Sequence, residues 1–328
     1  MASKSRIYRG TPRNLALLAR RLRAGGIVGV PTETVYGLAA DATSKAACKR
    51  IFAAKGRPTD DPLIVHIASL GDLGRVAVAN PGALRLARAF WPGPLTIVLP
   101  KTGAIPGEVT AGLPSVAVRM PSHPLFRRLI RRAGVPHAAP SANPFGYVSP
   151  TTADHVRRNL GGKVSHILDG GPSRIGLEST IVDMRDPRRP ALLRPGAITR
   201  SEVERVLGIR VARSRTSRAG GRLAPGQMAR HYSPRTKVVL HDRLTPALAL
   251  RSGPDEAWLF IRRPAGGAGR PNVHWLDAAG DLRRAARRLF SALRELDQAG
   301  YRTIHAERPA GTGLAEALLD RLKRASSR

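Results

Sequence analysis

Lys55-Gly56-Arg57-Pro58 sets two cations around a glycine at what reads as a helix end. A forked guanidinium and a compact ammonium at that spacing suit phosphate oxygens. They equally suit the negative end of the helix that carries them. Pro140-Ser141-Ala142-Asn143, followed by Ser149-Pro150-Thr151, gathers small donors in a loop that feeds a helix N-terminus. Free backbone N–H groups and hydroxyls make such a loop an anion site, and a capped helix after a turn is the plainer alternative. Val30-Pro31-Thr32-Glu33-Thr34 ends a strand in a polar turn, where the Thr32 and Thr34 hydroxyls could hold a small polar ligand or belong to an ordinary loop. His66 closes a strand and is compatible with simple packing. His231-Tyr232 follows a linker, where a packed imidazole and phenol imply a ligand or a neighbouring domain.

Other chemistries are not signalled. There is no Walker A lysine motif and no glycine fingerprint of a dinucleotide fold. The nine histidines form no HExxH pair, so zinc catalysis is not indicated. The single cysteine, Cys48, excludes a disulfide framework and a Cys-rich zinc site, and fits a reducing cytosol.

The elements that must position these residues alternate through the first two hundred positions. Thr11-Pro12 opens a helix that stops at Gly25-Gly26, and Ile27 to Val30 is a short strand. Ser44 to Ala54 is helical up to Gly56, and Leu63 to Ile67 is a strand. Asn80-Pro81 opens a helix to about Phe90; Leu95 to Leu99 and Val116 to Arg119 are strands; Ser122 starts a further helix. A strand near Val135 to Ala139 enters the Ser141 loop, and Thr151 to Leu160 is helical. Ile167 to Asp169, Thr180 to Met184 and Ala191 to Leu193 complete the strands, and Thr199-x-x-Glu202 is a capping box. From Ala212 to Arg230 the chain is rich in Arg, Gly and Ser without periodicity, which reads as a linker. Strands at Val238, Ala257, Val273 and Thr303, with helices from about Asp281 and Gly313, predict a second, smaller parallel α/β unit.

The 328 residues suit about two domains, and 42% hydrophobic content excludes global disorder. No apolar run reaches the roughly 20 residues of a membrane span, and no signal peptide is expected. The 55 Lys plus Arg against 23 Asp plus Glu give a formal charge of +32, which favours polyanions. Most of the surplus is arginine, so a compositional bias fits as well as a dedicated surface. The charge separates neither reading.

In order along the chain stand PTETVYGLAADA (31–42), KGRPTDDPLIVHI (55–67), VAVRMPSHP (116–124), PSANPFGYVSPTTADHV (140–156), ESTIVD (178–183) and LLRPGAIT (192–199). Together they resemble the YrdC-like family, the L-threonylcarbamoyladenylate synthases. APGQMARHYSPR (224–235) and GTGLAEALLDRLKRAS (311–326) are similar to its longer, two-domain members. The resemblance implies a twisted mixed-sheet α/β catalytic domain with a basic concave groove over 1–211. It implies a linker over 212–236 acting as a lid, and a Rossmann-like α/β domain over 237–328.

The implied reaction joins L-threonine, bicarbonate and ATP into threonylcarbamoyl-AMP and pyrophosphate. It is the first step of threonylcarbamoyladenosine modification beside the tRNA anticodon. The implied consumer of the product is a separate tRNA threonylcarbamoyl-transferase complex, with a possible weak contact to tRNA itself, no membrane and a cytoplasmic location. Lys55, Arg57, Ser141 and Asn143 form the implied catalytic signature. Arg57, Asp61, Ser115, Ser141, Ser149, Arg194, His231 and Tyr232 would contact ATP. Thr34, His66, Arg119, Ala139 and Ser179 would surround threonine, with Arg119 on its carboxylate. Mg²⁺ would ride on the triphosphate rather than on protein side chains.

Three departures stand out. Asp61 replaces a common Asn beside the expected triphosphate, Phe145 replaces a small residue, and Gln227 a common Met. The competing expectations are an RNA-binding module using the same basic groove, and an adenylating or carbamoyl-transfer enzyme with another acceptor.

Overall fold

A computed structural model describes residues 5–213, 231–251, 253–265 and 269–327. Most of the expected linker, Gln227 included, lies outside the described residues, so the lid reading can be followed only at His231 and Tyr232.

Helix ends follow the local chemistry. Ser44 accepts the Ala47 N–H to start the helix Lys45–Lys55, and Gly56 closes it in the left-handed region at φ 62°. Asn80 and Thr152 cap the helices Pro81–Phe90 and Ala153–Leu160 in the same way. Thr199 and Glu202 make both bonds of a capping box.

Among the described residues, eleven strands form one mixed sheet. Across it they run Arg6–Arg9, His166–Asp169, Val28–Val30, Gly37–Asp41, His137–Ala138 and Ile64–His66. The order continues through Ser115–Arg119, Leu95–Pro100, Thr180–Asp183, Ala191–Arg194 and Ala212–Arg213. Three of these strands are absent from the sequence reading, and one of them, Ala212–Arg213, lies where the linker was expected to begin and pairs with Ala191–Leu192 instead. Arg6–Arg9 is short and buries only Tyr8. Gly37–Asp41 returns antiparallel from the polar turn after Val30, pairing Gly37 with Val30 and Ala39 with Val28. Its Gly-Leu-Ala-Ala-Asp sequence has little strand propensity of its own, and pairing on both flanks decides its state.

The smaller unit is the parallel sheet expected, in the order Lys237–His241, Thr303–Glu307, Glu256–Arg262, Val273–Asp277. Helices Leu282–Gln298 and Leu314–Ser326 cover it. Its apolar core is continuous with the first unit: Val35, Val148 and Leu177 cluster with Tyr232, Phe290 and Leu293. Gly176 permits this approach. It sits at φ 79°, and a Cβ there would fall 2.5 Å from the Arg287 backbone.

Candidate active site

The site forms where the central strands end. His66 and Arg119 are paired in register at the ends of parallel strands, and Thr96 lies opposite Arg119 on the antiparallel neighbour. The turn at 31–36 is rigid for a local reason. Thr32 donates its hydroxyl proton to the Val35 carbonyl at 2.6 Å and accepts the Thr34 and Val35 N–H groups at 3.2 Å. The 2.8 Å contact between the Thr32 and Thr34 hydroxyls is therefore donated by Thr34. Leu38 N–H reaches the Pro140 carbonyl and Ala142 N–H the Tyr36 carbonyl, both at 2.8 Å, which stitches the Ser141 loop onto this hairpin.

A small cavity lies between these segments. Thr34, His66, Arg119 and Ala139, expected around threonine, line it. So do Arg57, Ser141, Arg194, His231 and Tyr232, expected around the nucleotide. The remaining residues singled out in the sequence stand off the wall. Lys55 donates to the Ser141 and Asn143 carbonyls at 2.5 and 2.6 Å, and so holds the loop from behind. Asn143 Nδ2 donates to the Pro144 and Tyr147 carbonyls, and its buried Oδ1 has no hydrogen-bond partner among the described residues. Ser179 bonds to Thr96 at 2.7 Å and accepts from Arg194 Nη2 at 3.0 Å. Ser149 donates to Glu178 at 2.5 Å. Ser115 is buried at the start of its strand and is not among the lining residues.

Asp61 carries the anion anticipated as awkward, and the fold answers it with Arg57. Their buried side chains meet at 2.9 Å, one helical turn apart in sequence, while Arg57 also donates to the Asp61 and Pro62 carbonyls. Phe145 packs edge-on against the His231 ring with centroids 6.2 Å apart, so this larger residue backs the imidazole that lines the cavity.

Two carboxylates were missed in the sequence reading. Glu33 pairs with Arg119 at 2.7 Å, both buried. Arg119 also donates to Thr34 at 2.9 Å and to the Gly93 carbonyl at 3.2 Å. Those three bonds leave N–H groups of its five for a ligand carboxylate. Glu178 lines the cavity. It accepts from Ser149 on one oxygen and from Arg321, in the C-terminal helix, at 2.9 Å on the other. Both glutamates sit inside motifs already quoted, each next to a hydroxyl residue assigned to the site. A polar residue bracketed by two buried strands was the available signal.

Electrostatics sort the titratable groups. Burial, reinforced by the Arg119 charge, pushes the His66 imidazole down to about 3. A neutral ring near its Ile64 carbonyl contact at 3.2 Å donates from Nδ1 and keeps Nε2 as an acceptor. Burial also pushes His231 well down, with Arg57, Lys55 and Arg194 adding to the effect. Lys55 is lowered by burial first and by Arg57 second. Burial raises Glu33, but its ion pair and hydrogen bond with Arg119 outweigh that and hold it below the ordinary range. The cavity is thus lined by three arginines, neutral imidazoles and one carboxylate, Glu178, which is paired with Arg321, and the surplus of cations suits anionic ligands.

A family model described as "Telomere recombination" (Sua5, YciO, YrdC) matches residues 20–196. A second, "Threonylcarbamoyl-AMP synthase, C-terminal domain", matches residues 198–327. The Pyrococcus abyssi protein named threonylcarbamoyl-AMP synthase is 42% identical, over 95% of this chain and 94% of its own. The Bacillus subtilis protein of that name is 40% identical, over 95% and 92%. The crystal structure of P. abyssi Sua5 complexed with L-threonine superposes with a TM-score of 0.87 at 40% identity, covering 98% of this chain and 96% of that one. On these matches the chain belongs to the Sua5/YciO/YrdC family, in the form that carries the threonylcarbamoyl-AMP synthase C-terminal domain.

Proposed function

We propose that this chain is an L-threonylcarbamoyl-AMP synthase, condensing L-threonine, bicarbonate and ATP with release of pyrophosphate. The observation that carries the reading is the convergence of Arg57, Arg119 and Arg194 on one cavity beside buried polar atoms. On its wall, His231 Nδ1 and Tyr232 Oη have no hydrogen-bond partner among the described residues, as expected of groups that await a ligand. The relatives bearing the same name support it along nearly the whole chain.

The chemistry requires two anionic substrates and an amine to meet without a covalent protein nucleophile. The threonine amine attacks the bicarbonate carbon and water leaves, giving a carbamate. A carbamate oxygen then attacks the ATP α-phosphorus, and the bond from that phosphorus to the oxygen bridging to the β-phosphate breaks, releasing pyrophosphate. Proximity and fixed positive charge carry most of the rate for such steps. We assign the threonine carboxylate to Arg119, braced by Glu33 and Thr34, with His66 Nε2 as an acceptor, and with Ala139 and Ser179 completing the pocket. Arg57 and Arg194, with Ser141, Ser149, His231 and Tyr232, would face the nucleotide. Lys55 and Asn143 would hold the Ser141 loop in register for it. Asp61 would act on ATP through Arg57, and Ser115 is the least supported contact.

A divalent cation, Mg²⁺ in this proposal, would travel on the triphosphate and shield its charge. Among the described residues no group of three or more His, Cys, Asp or Glu is placed to hold a metal. The lone carboxylate of Asp61 beside Arg57 is compatible with an ion brought by the substrate. The division at 1–211, 212–236 and 237–328 is kept, although the strand Ala212–Arg213 carries the first sheet two residues into the proposed linker; the second sheet starts at Lys237. Among the described residues no helix is long and apolar enough to cross a membrane. The reading places the enzyme in the cytoplasm, supplying a tRNA threonylcarbamoyl-transferase complex, with tRNA contact secondary.

The test is pyrophosphate release by the purified chain with each substrate omitted in turn. Release that needs threonine, bicarbonate and ATP together is expected. Threonine-independent release, or none from folded protein, would overturn the assignment.

A further inference from the structure

The helix Leu314–Ser326 belongs to the smaller unit, yet Arg321 reaches from it to the cavity wall. Its side chain is fully buried. Nε donates to Glu178 Oε2 at 2.9 Å and Nη1 to Asp320 at 2.6 Å, while Nη2 lies 3.4 Å from the Glu178 carbonyl. The same guanidinium stands 5.2 Å from the centre of the Tyr232 ring. Glu178 and Tyr232 both line the cavity. Tyr232 is held at φ 61°, a conformation an L-residue adopts only under constraint.

The contact between the two units has an apolar centre built from Val35, Val148, Leu177, Phe290 and Leu293, flanked by hydrogen bonds such as Tyr147 to Asp297 and Thr151 to Ser291. Well-packed apolar side chains would serve adhesion at least as well as a buried ion pair. Arg321 divides its charge between its helix neighbour Asp320 and Glu178, and Glu178 lines the ligand cavity. A second arginine of the smaller unit, Arg294, grips the same place by donating to the Ser149 carbonyl at 3.2 Å and to the Val148 carbonyl.

We infer that Arg321 is a positioning residue for ATP: by pairing with Glu178 and stacking on Tyr232, it makes the C-terminal domain part of the nucleotide site. The inference rests on the reaction proposed above. Without Arg321, Glu178 is a buried anion with no cation directly on it, facing a substrate that is itself an anion. With Arg321 present, Glu178 orients Ser149 and leaves the field of Arg57 and Arg194 to the phosphates.

The experiment measures binding of a non-hydrolysable ATP analogue with Mg²⁺, and separately of L-threonine, to the full chain by calorimetry. Arg321→Met is expected to weaken the analogue by about tenfold or more. Threonine affinity is expected to stay within about twofold, a split that general loosening of the fold would not produce. The double variant Arg321→Met/Glu178→Gln removes both charges and is expected to recover analogue affinity to within about threefold of the wild type. Unchanged affinity in Arg321→Met, parallel loss of both ligands, or a double variant no better than the single one overturns the inference. If Arg321→Met does not fold, Arg321→Lys keeps the charge without the fork. It is expected to weaken the analogue at least about threefold, and no change there is equally fatal. These binding arms need no turnover, so they stand apart from the omission assay that tests the reaction itself.

Discussion

Arg119 Nη2 lies 2.7 Å from Glu33 Oε1 with both side chains buried, and the pair is braced by the 2.9 Å bond from Arg119 Nη1 to Thr34. The pair offsets the charge of the guanidinium and fixes its orientation, and N–H groups remain for a second carboxylate. Arg119→Lys keeps the charge and loses the fork. Threonine affinity should fall by about tenfold to a hundredfold while analogue affinity moves less than about threefold, read by calorimetry. Equal loss of both ligands would mean that Arg119 does not face threonine.

Lys55 acts through the backbone it holds. Lys55→Met leaves the Ser141 and Asn143 carbonyls without their donor, and relief from burying the charge offsets only part of that cost. A loss of about 1–3 kcal/mol in urea unfolding is expected, with faster amide exchange at 141–143. A variant of wild-type stability and undiminished nucleotide binding would contradict this role.

Tyr232 Oη is buried without a partner among the described residues, so it is paid for by something other than the free fold. Tyr232→Phe should leave stability unchanged or raise it by up to about 1 kcal/mol. The same change should weaken the ATP analogue by about fivefold or more. Thermal melts and calorimetry on one preparation check both signs, and undiminished affinity would remove Tyr232 from the site.

Acid should unfold the protein partly through its buried imidazoles. His66 titrates at about 3 and His137 at about 4 in the fold, against about 6.5 in an unfolded chain. Since both folded values are depressed, the unfolded chain binds protons that the fold refuses. The associated stability is complete above about pH 6.5 and is lost as pH falls toward those folded values. Urea midpoints for wild type and His66→Asn, compared between pH 6.5 and 4.5, should diverge by up to about 1.4 kcal/mol per pH unit. Parallel curves would show that His66 is protonated in the fold.

Residue types at local spacing made the helix ends legible, whereas the site residues were reached through the family resemblance. Ser44, Gly56, Asn80 and Glu202 announce helix ends through bonds that span only a few residues, and they stand where expected. The ordered motifs likewise brought Thr34, Arg57, His66, Arg119 and Arg194 to one cavity. What escaped is set by partners distant in sequence. Glu33 and Arg119 are 86 residues apart, and Glu178 and Arg321 143. No periodicity relates them. The strand Gly37–Asp41 was missed for a similar reason, because its alanines become a strand only between the partners at Val28–Val30 and His137–Ala138.

The most direct measurement is a crystal structure of the full chain with L-threonine and a non-hydrolysable ATP analogue. The account predicts the threonine carboxylate on Arg119, the phosphates beside Arg57 and Arg194, and the threonine amine pointing toward the α-phosphate across a gap that bicarbonate fills. Threonine or the phosphates bound outside this cavity, or an amine turned away from the α-phosphate, would contradict it.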